Sequence, residues 1–246
     1  MTNKLFFIPE KKPNARVRLF CFPYAGGSPS LFLPWTKLIN SDIELVLIQL
    51  PGRGSRMGEP AADNMLDVIN ELLSHSEFIT SKPYAFFGHS LGSRVAYELT
   101  SNFQRSGKPM PIKLFASASR APHTKNNKAS IYDLPYNEFI AELKSLNGTP
   151  TEVLENEELM ALLAPLLRAD FKIADTYSAE VIPLSSPIRV LNGKHDQISA
   201  QQLNAWQDLS QHPVDVSEFD GGHFFIHQYS AKMVKLINQD LLQQLN

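Results

Sequence analysis

The 246-residue sequence predicts an α/β fold with a mostly parallel central sheet. Short apolar runs rich in Val, Ile and Phe alternate with segments whose apolar residues recur every three or four positions. Parallel strands joined by crossover helices produce that alternation. The runs are close to continuously apolar, as strands covered on both faces are. Composition agrees: 43% apolar, 20% charged and 10% aromatic residues make an ordinary globular chain. A single domain of this length buries roughly 70–75% of its unfolded surface, so its core needs neither disulfide nor metal.

The elements follow in order. Residues 16–23 (RVRLFCFP), 43–50 (IELVLIQL), 83–89 (PYAFFGH) and 112–117 (IKLFAS) read as strands, and 187–192 (PIRVLN) and 214–219 (VDVSEF) follow late in the chain. Leu66, Ile69, Leu72 and Leu73 share one helical face, as do Leu91, Val95, Leu99 and Phe103, with Gly107 as a stop. A closing helix spans 232–245, with Met233, Leu236, Ile237, Leu241 and Leu242 on one side. From 133 to 177 no strand pattern appears. Phe139, Ile140, Leu143 and Leu146 form one amphipathic segment ended by Asn147-Gly148. Leu159, Leu162, Leu163, Leu166 and Leu167 form a second, interrupted by Pro165. This insertion is either a layer that extends the core or a lid over a pocket, since elements grafted onto strand ends shape sites.

Charge and cysteine usage narrow the partners. A net charge of −2 gives no electrostatic reason to expect nucleic acid. Cys21, the single cysteine, excludes an internal disulfide and points to a reducing compartment. The opening MTNKLFFIPEKKP is too briefly apolar for a secretory signal, and no stretch is long enough to span a membrane. A cytoplasmic monomer without membrane contact is expected.

The strongest chemical signal is Gly88-His89-Ser90-Leu91-Gly92, lying between a predicted strand and a predicted helix. A turn that tight strains the serine backbone and leaves no room for side chains two residues away on either side. Ser90 would be the nucleophile, with the Leu91 amide an oxyanion donor. Such a serine needs a base and an orienting acid, in the chain order serine, acid, histidine. Of seven histidines, His223 in Asp220-Gly221-Gly222-His223 sits between the last strand and the last helix, with His227 its competitor. His75, His123 and His212 read as solvated, and the His89 ring as facing away from the nucleophile. Asp196, just past the strand at 187–192, would orient the base, with a helix N-cap as its alternative role. His195 is excluded by chain order, and Asp170 and Asp175 rank lower because they fall in the insertion. The loop Phe22-Pro23-Tyr24-Ala25-Gly26-Gly27-Ser28 would supply the second oxyanion donor, the Ala25 amide, or would be a plain Gly-Gly turn. Tyr24 and Gly26 there would border the substrate, or Tyr24 would simply pack. In Leu50-Pro51-Gly52-Arg53-Gly54-Ser55-Arg56, Arg53 and Arg56 would meet an acidic partner or a phosphate, or anchor a solvated turn through internal ion pairs.

Taken together and in order, FPYAGGS, QLPGRGSR, FGHSLGS, LLRADF, GKHD and GGHFF resemble the type II thioesterases that accompany nonribosomal peptide and polyketide synthases. The likeness runs from Phe22 to the end. It implies an α/β-hydrolase fold with a helical lid, and hydrolysis of acyl groups from the phosphopantetheine thiol of carrier proteins, which clears stalled synthases. It places the triad on Ser90, Asp196 and His223 and assigns the inserted helices to the acyl pocket and the carrier-protein entrance. It calls for no cofactor, because the phosphopantetheine arm belongs to the substrate. Two departures stand out: Leu91 where members often carry Met, and Asp175 two positions before Tyr177 where Glu is common. The rival readings are a carboxylesterase or lipase with the same triad, an acyltransferase that excludes water, and a non-catalytic carrier-protein-binding module.

Overall fold

The computed structural model describes residues 4–126, 129–146 and 148–245. Its strands are β1 (Phe6–Phe7), β2 (Val17–Phe22), β3 (Ile43–Ile48), β4 (Tyr84–His89), β5 (Leu114–Ser117), β6 (Ile188–Gly193) and β7 (Asp215–Phe219). They form one seven-stranded sheet in the order β1-β3-β2-β4-β5-β6-β7. Only β1 runs antiparallel, against β3. All the strands expected from the sequence are present. The two-residue β1 is additional, too short to leave a periodic signal.

Successive side chains of each central strand enter different cores, which explains the unbroken apolar runs. Phe20, Phe22 and Phe86 join one cluster with Val95, Leu99 and Phe103. Leu19, Cys21 and Phe87 join the other with Phe32, Trp35 and Ile237. The exception proves the cost of a charge here: buried Glu44 is met by Arg18 on the neighbouring strand, Nε to Oε2 at 2.9 Å.

The helices are α1 (Met65–Ser74), α2 (Ser76–Thr80), α3 (Leu91–Arg105), α4 (Tyr136–Leu146), α5 (Thr151–Leu154), α6 (Glu157–Thr176), α7 (Ala200–Asn204), α8 (Phe225–Gln228) and α9 (Ser230–Gln244), with 3₁₀ turns at Pro29–Lys37, Gly54–Arg56 and Ala205–Leu209. Gly107, with φ +65°, follows the end of α3 as expected. The Asn147 stop after α4 lies outside the described residues. Pro165 does not interrupt the second inserted segment, because α6 passes through it. Pro165 and Ala161, whose carbonyl the proline cannot satisfy, are both exposed, so the lost bond falls on the solvent side of the helix.

Order in the sheet reverses at β2, with β3 on one side and β4 on the other. The loops leaving β2 and β4 therefore open side by side at the carboxyl edge, where ligands of open α/β sheets bind. The helices α4, α5 and α6 stand between β5 and β6 in the chain and carry an apolar cluster of their own, Phe139, Leu143, Leu154, Met160, Ala164 and Leu167. Among the described residues, no helix is long and apolar enough to cross a membrane.

A separate, smaller cluster opens more readily than a shared core. Amides of residues 136–176 are expected to exchange faster than those of β4 and β5 in hydrogen-exchange mass spectrometry. Equal protection in both would mean that the insertion and the sheet open as one unit.

Candidate active site

Ser90 stands at the junction of β4 and α3 with φ 55° and ψ −113°, a conformation a serine adopts only when its surroundings enforce it. The enforcement is visible. A Cβ on Gly88 would lie 2.2 Å from the Gly92 carbonyl oxygen, and one on Gly92 would lie 2.1 Å from that of Phe22. Both glycines of the motif are therefore close-approach positions. The elbow is tied to β5 as well: Ser90 N–H donates to the Ser117 carbonyl at 2.7 Å, and Ser117 N–H donates to Ser93 Oγ at 3.0 Å.

Asp196 arrives on the loop after β6 and His223 on the loop after β7, across β5 from the elbow. Ser90 Oγ lies 3.0 Å from His223 Nε2, and His223 Nδ1 lies 2.8 Å from Asp196 Oδ2. A carboxylate only accepts, so the proton sits on Nδ1 and leaves Nε2 bare toward the serine hydroxyl. The other Asp196 oxygen accepts from Gln197 N–H at 2.7 Å. Asp196 is not a helix cap: Ser199 caps α7 through a reciprocal pair with Gln202. His195 points elsewhere, forming an exposed pair with Asp220.

Tyr24 to Gly27 form a turn closed by Gly27 N–H donating to the Tyr24 carbonyl at 2.8 Å. Gly26 has φ +76°, as the third residue of a type II turn requires. Among the described residues, neither the Ala25 nor the Leu91 amide has an acceptor within the chain. One of these donors follows Ser90 in the chain and the other sits on the turn after β2; uncommitted amides of this kind suit an oxyanion. A cavity of about 420 Å³ adjoins the turn, lined by Tyr24, Ala25 and Gly26 and by Leu163, Leu166 and Leu167 of α6; Ser90, Asp196 and His223 are not among its lining residues. The Tyr24 hydroxyl lies 3.3 Å from Nε2 of His227, which sits on the cavity rim and not beside Ser90.

Several polar residues hold this geometry from beneath, and the sequence undersold them. The His89 ring does turn from Ser90, but its Nε2–H donates to the His223 carbonyl at 2.9 Å, and its Nδ1 lies 2.9 Å from Ser117 Oγ. A carbonyl only accepts, so that tautomer is forced. Complete burial first, and then the nearness of His223, hold His89 well below its ordinary pKa. Arg53 is buried, as the internal-ion-pair reading expects. It forks onto Asp170 of α6 at 2.8 and 2.9 Å, and Arg56 pairs with Glu59 and Glu71. Asp170, ranked low for lying in the insertion, is almost fully buried. The signal that finds it is a carboxylate on the apolar face of α6, among Leu166, Leu167 and Ile173. His75 and His123 are not freely solvated: His75 packs edge-on against Phe6, and His123 lies 3.3 Å from Asp208.

Residues 17–241 match the family model described as a thioesterase domain. The chain is 35% identical over 241 residues to the gramicidin S biosynthesis protein GrsT of Aneurinibacillus migulanus, covering 97% of this chain and 94% of that one. It is 32% identical over 246 residues to the medium-chain S-acyl fatty acid synthase thioesterase of Anas platyrhynchos, covering 96% and 97%. Among solved structures, YbtT, a type II thioesterase from the yersiniabactin NRPS/PKS biosynthetic pathway, superposes with a TM-score of 0.86 at 30% identity, over 98% of this chain and 100% of that one. ClbQ from the colibactin NRPS/PKS pathway gives 0.86 at 30% identity, over 94% and 98%.

The His89 environment has a pH signature. Its pKa is lowered by folding, so the unfolded chain binds this proton first, at about pH 6.5. Its contribution to stability is complete above that pH and is lost as pH falls toward the folded value. His89→Gln keeps a donor for the His223 carbonyl but cannot titrate. Urea midpoints measured from pH 8 to pH 5 are expected to fall less steeply for this variant than for wild type; parallel curves would remove His89 as a source of the acid sensitivity.

Proposed function

The chain belongs to the thioesterase family, and from that membership we propose that it unloads carrier proteins. On this reading it hydrolyses acyl groups from their phosphopantetheine thiols, in the service of a nonribosomal peptide or polyketide synthase. The observation that supports it is the chain of contacts from Ser90 Oγ through His223 to Asp196, set beside two uncommitted amides.

Ser90 attacks the thioester carbonyl as His223 Nε2 takes the hydroxyl proton. The imidazolium that forms is stabilised by Asp196, which stays ionised. Charge developing on the carbonyl oxygen is met by the Ala25 and Leu91 N–H groups. The tetrahedral adduct expels the thiol, protonated by His223. This is easy, because a thiol of pKa about 8.5 leaves far more readily than an alcohol. Water, deprotonated by the same ring, then cleaves the acyl-serine and restores the enzyme. His89 takes no proton in this cycle; it holds the His223 main chain. The pantetheine arm arrives with the substrate, so the chain needs no cofactor of its own. The helices α4 to α6 act as a lid, with the cavity against α6 receiving the substrate. The enzyme works as a monomer in the cytoplasm.

The test loads a carrier protein with a short acyl-phosphopantetheine and follows its intact mass. Wild type is expected to return it to the free thiol, and Ser90→Ala to leave it acylated while remaining folded. Turnover by the alanine variant would reject Ser90 as nucleophile. An inert wild type that still cleaves simple esters would replace the thioesterase reading with an esterase one.

A further inference from the structure

The turn that carries the Ala25 amide is held by the buried pair Arg53–Asp170. Gly26 N–H donates to Asp170 Oδ2 at 2.6 Å. Arg53 Nη1 donates both to that same oxygen at 2.9 Å and to the Gly27 carbonyl at 3.0 Å, and Nη2 donates to Asp170 Oδ1 at 2.8 Å. The two side chains are 4% and 1% exposed. Gly26 N–H belongs to the central peptide of the turn. The carboxylate prevents rotation of that peptide, the half turn that converts type II into type I; the Ala25 N–H lies on the preceding peptide, so the pair holds it by fixing the turn as a whole through Gly26 and Gly27. The helix α6 reaches the same glycine a second time: a Cβ there would lie 2.5 Å from Leu167 Cδ2.

Stability alone does not account for the pair, because apolar residues of similar volume commonly replace a buried ion pair at no cost. What they cannot do is accept from Gly26 and donate to Gly27. We propose that Arg53 and Asp170 are positioning residues for the oxyanion hole. Their ion pair latches the Tyr24–Gly27 turn to α6, so that the hole is formed only while this helix is seated. The inference rests on the reading of Ser90, Ala25 and Leu91 given above. It adds a reason for the inserted helices beyond walling a pocket: seating α6 completes the catalytic constellation.

The test is the charge-free double variant Arg53→Met/Asp170→Leu, with active sites counted by a fluorophosphonate that labels the nucleophilic serine. On an acyl-loaded carrier protein, kcat per active site is expected to fall about 10²-fold, the loss typical of one oxyanion donor. KM should stay within about threefold, because ground-state binding is untouched. Amide exchange should quicken in residues 24–28 and not in β4. A purely structural pair would lower the yield of folded enzyme and leave kcat per site unchanged; that result overturns the proposal. Should the double variant not fold, Arg53→Lys decides. It keeps the charge but lacks the second arm, and a wild-type kcat there overturns the proposal equally. Ser90→Ala, run alongside, separates the two readings: turnover surviving in it would sink the nucleophile assignment whatever the latch variants do.

Discussion

The site depends on one close contact, that between Gly92 at the start of α3 and the Phe22 carbonyl at the end of β2. No side chain fits between them. The approach brings the first turn of α3 against the strand that launches the Tyr24–Gly27 turn. A single contact thus sets the nucleophile and both uncommitted amides in one frame. The parallel register of β2 and β4, which places Phe22 opposite Gly88, makes the contact possible. The strained Ser90 backbone is the cost of this arrangement, and the packed strands on either side supply the energy to hold it.

Around that frame, polar groups are buried where they hold the backbone. His89 grips the His223 carbonyl, Ser93 and Ser117 tie the elbow to β5, and Arg53 with Asp170 grips the Tyr24–Gly27 turn. Each meets a main-chain donor or acceptor at the carboxyl edge of the sheet. Elsewhere the two faces of the sheet are covered mainly by aliphatic and aromatic side chains, with buried Glu44 met by Arg18. A buried polar group is tolerable only when its partners are fixed. Here the partners are the loops whose positions matter, so the polar groups convert a rigid sheet into a rigid site.

The contacts of the inserted helices differ in character. Toward each other they share a small apolar cluster, which tolerates sliding and repacking. Toward the Tyr24–Gly27 turn α6 offers a directional, charged contact that is made in one geometry or not at all.

Much of this was legible in the residues themselves. The strands declare themselves through apolar runs and the elbow through its glycines, and chain order picks Asp196 and His223 from many carboxylates and imidazoles. Those signals are local, or depend on which strand end a loop follows, and a sequence carries both. What it does not carry is the partner of a side chain far along the chain. Arg53 and Asp170 stand 117 residues apart, and His89 meets a main-chain atom 134 residues away. Nothing in either neighbourhood names the other, so a phosphate and an internal carboxylate remained equal candidates for Arg53. Only the packing of α6 over the β2 and β3 loops decides between them, because burial leaves a guanidinium no option but the carboxylate within its reach.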